Sequence, residues 1–251
     1  MSVYNEFWKL KEIIVWNVLN FNLDKLDHTF KVWYWDNMKG LKHFDSTWSI
    51  LWYHDHIDYK IDKKKLYERK KDMDNFAKTL ENLWIKVKRP EELLKIQTFK
   101  TPNFFWVLTP VTNPRDRVLV YWDNIIETPA MIRKRYFENQ LSYNLFQEYV
   151  MNKWYNWISA PYPSLEYSRF DWDDRLKKRD FKNYNKLDYD IAFDAAQILK
   201  IWKDLLFNIT SYNHENWAIW LQKVLDNLWT WAKVHKIYWL DDNHIDWVLM
   251  V

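Results

Sequence analysis

The near-absence of glycine is the feature that most limits how this chain can fold. Its 251 residues include one glycine, Gly40, and nineteen tryptophans, whereas average usage of about 7% would give roughly 18 glycines. Glycine supplies the left-handed backbone of tight turns and helix ends because it has no Cβ to clash. Some other residue must therefore occupy those points in this chain.

Tryptophans stand where a fold needs glycine. Trp122 begins a two-residue link between the strand-like runs Arg117–Tyr121 and Asn124–Glu127, and two-residue hairpin turns require positive φ. Trp84 and Trp229 each follow the last apolar residue of a helical pattern, which is where a left-handed residue ends a helix. We therefore predict that most of the tryptophans stand for glycine.

A difference in genetic code accounts for this composition. The codon UGA is translated as tryptophan in one code, as stop in the standard code and as glycine in some recoded bacterial lineages. A gene from such a lineage, translated with the tryptophan code, would give this sequence. We expect Trp157 and Trp220 to be genuine tryptophans. The alternative is a tryptophan-rich protein that stacks on sugars or bases, but turn sites are poor stacking platforms.

Charge and cysteine content exclude several classes of protein. The 37 basic and 34 acidic residues give a net charge of +3, too weak a field to recruit nucleic acid or anionic lipid. The chain has no cysteine, which excludes disulfides and thiolate metal sites within it. No signal peptide or membrane-spanning apolar run is evident. We expect a cytoplasmic protein that binds neither nucleic acid nor membrane, and a homodimer is compatible with the sequence.

Hydrophobic periodicity predicts an α/β chain. It predicts helices over 62–83, 130–151 and 214–228, strands over 11–15, 85–88, 155–159 and 232–238, and hairpins over 117–127 and 190–208. A unit of hairpin, helix and strand thus occurs at least twice. Segments 17–59 and 160–188 are predicted as long loops. The apolar run Val248–Val251 leads us to expect that a C-terminal part of the domain lies beyond this chain.

Four side chains are candidates for chemistry because they lie at the ends of strand-like runs or in the adjoining loops. Asp116 precedes a strand, and Asp194 interrupts an apolar strand. A carboxylate in core sequence is costly unless it is paired or functional. His244 and Asp246 enter the last strand, where their alternation would put both on one face.

The chain resembles the amidinotransferases, enzymes that move an amidino group from arginine to an amine. The resemblance rests on the order of Tyr4-Asn5-Glu6, Lys100-Thr101-Pro102, Pro114-Arg115-Asp116, Ile125-Ile126-Glu127, Arg133-Lys134-Arg135, Phe193-Asp194-Ala195-Ala196 and His244-Ile245-Asp246. The family pattern has glycine at Trp16, Trp84, Trp122, Trp154, Trp202 and Trp217. The resemblance implies a pentein-type five-bladed α/β propeller, of which residues 1–251 would form a single incomplete domain with the C-terminal modules missing.

The resemblance also implies a ping-pong reaction. A cysteine thiolate outside this chain attacks the guanidino carbon of L-arginine, ornithine leaves, and an acceptor amine takes the amidino group, with no metal or organic cofactor. Asp116 and Asp246 would hold the guanidinium, whose fixed donors suit opposed carboxylates. His244 would be the general acid and base, and Asp194 would orient it. Arg135 would contact the carboxylate of the substrate.

Two alternatives remain open. A guanidine hydrolase of the same fold, of the arginine deiminase or dimethylargininase type, would use water in place of the amine. The segments 4–6 and 193–196 favour the transferase. An inactive homologue that only binds is the second alternative, and the absence of cysteine favours it formally. The run His54-Asp55-His56 is too weak a pattern to predict a metal site.

Overall fold

The computed structural model describes residues 6, 8–18, 63–165, 192–209, 212–238 and 244–245. Its helices are α1 Lys63–Asn82, α2 Pro114–Arg117, α3 Tyr143–Lys153 and α4 Tyr212–Asn227, with 3-10 turns at Arg133–Arg135, Glu138–Ser142 and Ala195–Gln197. Its strands are β1 Glu12–Ile14, β2 Lys86–Lys88, β3 Thr98–Lys100, β4 Phe105–Val107, β5 Val118–Tyr121, β6 Asn124–Glu127, β7 Asn156–Ile158, β8 Ile198–Ile201, β9 Asp204–Ile209 and β10 Lys233–Tyr238. The predicted α/β content is confirmed. No helix of these residues is both long and apolar enough to cross a bilayer.

Two sheets share one topology, and we call them the first and second units. In the first unit β5 pairs antiparallel with β6, and β6 pairs parallel with β7 after the crossover through α3. In the second unit β8 pairs antiparallel with β9, and β9 pairs parallel with β10 after α4. Parallel neighbours need such a crossover, and a helix supplies it. The predicted repeat of hairpin, helix and strand is therefore confirmed.

The N-terminal region repeats the last part of this unit. Strands β1 and β2 pair in parallel, and α1 lies between them in the chain. The buried apolar face of α1, which includes Ala77 and Leu80, packs beside Val15. The helical spacing in the sequence predicted this face, because residues three and four apart lie on one side of a helix.

The main apolar core joins the two units. Leu119 and Ile126 of the first unit pack with Phe207 of the second and with Trp217 and Leu221 of α4, all with almost no exposed surface. Apolar area of this kind stabilises a fold by about 25 cal/mol per Å² removed from water. Because both units contribute to this core, it holds the two sheets against each other.

Tryptophan occupies most of the left-handed backbone. Seven described residues have positive φ, namely Trp84 (62°), Trp122 (55°), Trp154 (59°), Trp202 (56°), Trp229 (55°), Trp231 (60°) and Leu165 (43°). The positive φ predicted from turn chemistry is thus confirmed at Trp84, Trp122 and Trp229. A bulky side chain in this region is a steric outlier and costs roughly 1–2 kcal/mol.

The helix predicted over 130–151 begins later than its periodicity indicated. Ile132 is extended, with φ −126° and ψ 142°, and two 3-10 turns precede the α-helix that starts at Tyr143. Ala130 and Met131, which precede Ile132, are buried. The apolar residues ahead of the α-helix are therefore core residues of non-helical backbone and 3-10 turns, and they do not form one face of an α-helix.

Two further predictions of local structure were wrong. Asp194 does not lie inside a strand, because its N–H donates to Oε1 of Gln197 at 3.2 Å and a 3-10 turn follows before β8 begins. Such local side-chain bonds compete with the strand ladder. The predicted elements also omitted β3 and β4, which pair with each other in the structure. The loops predicted over 17–59 and 160–188 lie mostly outside the described residues.

Candidate active site

Asp194 and His244, 50 residues apart in the chain, form the centre of the candidate site. His244 Nε2 lies 3.4 Å from Asp194 Oδ2, and the side chains are 15% and 2% exposed. Burial acts to raise the pKa of Asp194, but the hydrogen bond from His244 and the positive charges of Arg135, His244 and Arg117 outweigh it and lower the pKa. Asp194 is therefore a buried carboxylate held in its charged form beside an imidazole.

Asp116 joins this pair from the first unit. Proline at the first position of α2 suits the start of a helix, and this short helix leads directly into β5. One ligand-type atom from each of Asp116, Asp194 and His244 lies within 4.8 Å of the others. The backbone carbonyl of Asp116 accepts a 2.9 Å hydrogen bond from Thr128 Oγ1. The structure thus brings together three of the side chains predicted from the sequence.

Arg135 is buried and binds the carboxylate of Asp116. Its Nη1 donates to Asp116 Oδ2 at 2.8 Å, and its Nη2 donates to the carbonyl of Asn113 at 3.1 Å. Its Nε and Nη2 both donate to the carboxylate of Glu138. Burial acts to lower the pKa of Arg135, but Glu138 and Asp116 raise it well above its ordinary value. Four of its five donor positions therefore face protein groups in this structure.

Asp246, the fourth candidate side chain, lies outside the described residues, as does the run His54-Asp55-His56. Ile245 has helical and not extended backbone. The strand expected at this point is therefore not found at Ile245, and the placement of Asp246 beside His244 stays a prediction.

A metal ion is geometrically conceivable at this cluster. The imidazole of His244 and the carboxylates of Asp116 and Asp194 are ligand types that divalent transition metals accept. Two buried guanidinium groups counter that fit. Arg135 is ion-paired with Asp116, and Arg117 contributes positive charge at Asp194. Like-charge repulsion at these distances weakens the site for a divalent cation.

The chain is similar in sequence to several curated proteins. Inosamine-phosphate amidinotransferase 1 of Streptomyces griseus is 28% identical over 249 residues, covering 98% of this chain and 65% of that protein. The mitochondrial glycine amidinotransferase of Xenopus laevis is 26% identical over 97% of this chain and 56% of its own length. The L-arginine:L-lysine amidinotransferase of Pseudomonas savastanoi pv. phaseolicola is 29% identical over 72% of this chain and 50% of its own length. The chain is related to the amidinotransferases.

Solved structures agree. SxtG, an amidinotransferase of Microseira wollei in the saxitoxin biosynthetic pathway, superposes with a TM-score of 0.71 at 25% identity over 98% of this chain and 65% of its own. The inosamine-phosphate amidinotransferase of Streptomyces griseus gives 0.71 at 23% identity with the same coverage, which shows the shared fold. No protein-family model matches the chain. The chain spans between half and two thirds of the length of these curated relatives, whose names are those of transferases.

Sequence reasoning missed two buried charges of the site. Glu138 is fully buried, and besides Arg135 it accepts a 3.2 Å hydrogen bond from the backbone N–H of Thr112. Its spacing three residues after Arg135 is a signal for a pair on one helical face. Arg117 is 2% exposed, and burial lowers its pKa while Glu138, Asp194 and Glu127 act to raise it. Its sequence context, inside a predicted strand, gave no such signal.

Glu127 is a further buried carboxylate near the site. It ends β6 and accepts hydrogen bonds from Trp157 Nε1 and Ser159 Oγ, each at 2.7 Å, and from Asn139 Nδ2 at 3.0 Å. Asn139 Nδ2 also donates to the carbonyl of Arg117 at 3.1 Å. From the sequence, Glu127 was noted only as part of the motif Ile125-Ile126-Glu127. The structure shows that it organises the polar interior of the first unit.

Proposed function

We propose that this chain is part of an enzyme that transfers the amidino group of L-arginine to an acceptor amine. The observation that carries the proposal is the convergence of Asp116, Asp194 and His244 within 4.8 Å, in a chain whose relatives are named amidinotransferases. One of those relatives is named for L-arginine as a substrate. The chemistry of the three side chains suits that reaction.

His244 moves protons between the two amines. In the first half-reaction a cysteine thiolate, which lies outside residues 1–251 because these contain no cysteine, bonds to the guanidino carbon. The bond from that carbon to the side-chain nitrogen of arginine breaks, and His244 protonates the nitrogen so that ornithine leaves. In the second half-reaction His244 takes a proton from the acceptor amine, which attacks the carbon and releases the thiolate. General acid and base catalysis of this kind contributes about 10²–10⁴-fold.

Asp194 supports the charged form of that imidazole. Its carboxylate is buried and lies 3.4 Å from His244 Nε2, and its lowered pKa keeps it ionised. A fixed negative charge beside the ring stabilises the imidazolium that forms during each proton transfer. Hydrogen bonds of this type are often longer before substrate binds and shorten in the complex.

Asp116 binds the guanidinium of the substrate, and Asp246 is proposed to face it. Arg135 binds Oδ2 of Asp116, so Oδ1 would accept an N–H of the substrate. The sequence predicted that Arg135 contacts the substrate carboxylate. The pairing with Asp116 and Glu138 supports instead a role in holding Asp116, and we adopt that role.

The finer architecture is part of the same proposal. The repeated unit and the partial unit around α1 account for about three modules of a five-bladed pentein propeller. Residues 1–251 would then form a single incomplete domain. Closure of the propeller would bring further residues to the face on which Asp116, Asp194 and His244 lie.

The test is a product assay on the full-length protein with L-arginine and a panel of primary amines. We expect ornithine and the amidino product in equal amounts, and a loss of at least about 10²-fold in kcat for His244→Gln. His235→Gln is the matched control, because His235 also pairs with an aspartate, Asp204, but is 39% exposed; we expect it to keep its activity. Citrulline in place of ornithine would establish the hydrolase, and no turnover would establish the inactive homologue.

A further inference from the structure

We propose that Arg115 is a positioning residue that fixes the turn carrying Asp116 to the turn carrying Asp194. The inference rests on the proposed function only in taking those two carboxylates as parts of one site. Arg115 directly precedes Asp116 in α2. Its side chain bonds to the carbonyls of Ala195 and Ile198, which lie one and four residues after Asp194 in the chain.

The guanidinium of Arg115 bonds to two carbonyls of the second unit. Its Nη1 donates to the carbonyl of Ala195 at 2.7 Å, and its Nη2 donates to the carbonyl of Ile198 at 2.5 Å. These carbonyls belong to the two ends of the turn that begins after Asp194. Hydrogen bonds from a charged donor are roughly twice as strong as neutral ones, and the planar fork fixes direction as well as distance.

Glu6 and Lys200 hold the other side of this guanidinium. Glu6 Oε1 lies 3.1 Å from Arg115 Nη2 and 3.3 Å from Lys200 Nζ. Lys200, on β8, also donates to the carbonyl of Val120 on β5 at 3.1 Å. We call Glu6, Arg115 and Lys200 the clamp. It connects the first strand of one unit to the first strand of the other.

Because the clamp holds the two turns together, it fixes the positions of the charges around Asp194. The low pKa of that carboxyl depends on His244, Arg135 and Arg117, and Arg135 is itself bonded to Asp116. A shift of either turn changes the distance from Asp194 to these charges. Loss of Arg115 should therefore act on Asp194 without any direct contact between the two side chains.

Arg89 is a matched control for an arginine that ties two segments together. Its Nη1 donates to the carbonyl of Trp16 at 2.6 Å, and its Nη2 donates to the carbonyl of Met73 at 3.0 Å and to Asp74 at 2.8 Å. Its side chain is 28% exposed, against 30% for Arg115. It lies in the N-terminal region and has no contact with the turn at Asp194 among its bonds in the described part of the chain.

The experiment is a carbon-13 NMR titration of Asp194 in the chain carrying Arg115→Met, Arg115→Lys or Arg89→Met, with unfolding measured in parallel. We expect the pKa of Asp194 to rise toward its unfolded value in Arg115→Met and Arg115→Lys, because lysine keeps the charge but cannot bond two carbonyls in a fork. Arg89→Met should lose stability and leave the pKa of Asp194 unchanged.

An unchanged pKa of Asp194 in either folded Arg115 variant overturns the positioning role. If Arg115→Met does not fold, Arg115→Lys decides, because it retains the ion pair with Glu6. An equal rise in Arg89→Met would also overturn the proposal, since it would mean that any loss of stability moves Asp194. No arginine or amine is present in the titration, so its outcome is independent of the product assay that tests the proposed function.

Discussion

The first and second units have the same backbone and differ in what their interiors hold. Both place a short helical turn ahead of their first strand, and both carry the site carboxylate there: Asp116 before β5 and Asp194 before β8. Asp116 is paired with Arg135, whereas Asp194 is paired with His244. The same position in a repeated unit thus supplies a binding group in one copy and a catalytic support in the other.

The left-handed positions repeat as well. Trp122 and Trp202 occupy equivalent places in the two hairpin turns, and Trp154 and Trp229 follow the two helices. Because equivalent turns need equivalent backbone, the positive φ at these residues belongs to the architecture and not to the tryptophans. Turn geometry therefore sets the repeated backbone, while the residues before each first strand set the chemistry.

The first prediction distinguishes the roles of the two carboxylates, Asp116 and Asp194. We expect Asp194→Asn to lower kcat of the full-length protein by about 10²–10⁴-fold, because the imidazolium of His244 loses its charged partner. Asp116→Asn should act mainly through KM for L-arginine. Steady-state kinetics with an amine acceptor measure both. Equal effects on KM from the two variants would break the proposed division between the units.

The second prediction compares two tryptophans three residues apart in the first unit. Trp157 packs on Phe146 and donates from Nε1 to Glu127, whereas Trp154 is 88% exposed. Trp157→Ala should cost about 3–5 kcal/mol of unfolding free energy, plus the exposure of a buried acceptor. Trp154→Ala should change it by less than about 1 kcal/mol. Denaturant unfolding measures both, and similar losses would contradict the assignment of Trp157 as the structural tryptophan.

The third prediction concerns pH and the junction between the units. Burial, aided by the charge of Arg115 and opposed by that of Glu6, lowers the pKa of Lys200 from 10.5 to about 8. Between these values the unfolded chain binds more protons than the folded one, so the unfolding free energy should rise with pH, by up to about 3 kcal/mol. The rise is measured as the difference between the parent chain and Lys200→Met, which cancels tyrosine titration. No difference across pH 8–10.5 would contradict the burial of a charged Lys200.

The fourth prediction concerns whether glycine is the native residue at the repeated turns. We propose that it is, and we expect Trp154→Gly and Trp229→Gly to be each about 1 kcal/mol more stable than the corresponding alanine variants, because only glycine escapes the Cβ clash at positive φ. The Gly–Ala pair removes the same indole in both cases, so the difference reports the backbone alone. Equal stability of the two variants at either site would contradict the proposal, as would UGG codons at these positions in the gene.

The elements that could be predicted are those that have a local pattern in the sequence. Helical spacing in 62–83 and the two-residue links at Trp122 and Trp202 are short-range signals, and the structure confirms the elements they predict. The errors arose where short-range signals compete. The apolar residues of 130–142 fit a helix, but this stretch contains an extended Ile132 and two 3-10 turns. Asp194 makes a local bond and precedes the strand in which it was predicted to lie.

The site was predictable only in part. Asp116, Asp194 and His244 were found by motif and by polarity in apolar sequence, and the structure brings them together. Arg115 and Glu138 were not found as site residues, because charged residues on short turns are usually solvated. Arg115 bonds to groups between 80 and 109 residues away in the chain, and Glu138 accepts a bond from Thr112, 26 residues away. No local pattern encodes these contacts.

The most direct test of the central claim is intact mass spectrometry of the full-length protein incubated with L-arginine and no amine. We predict one equivalent of released ornithine and a mass increase equal to a single amidino group on a cysteine, absent in His244→Gln. Addition of an amine should then restore the original mass. An adduct that retains the arginine side chain, with ammonia released in place of ornithine, would contradict amidino transfer, as would the absence of any adduct and any ornithine.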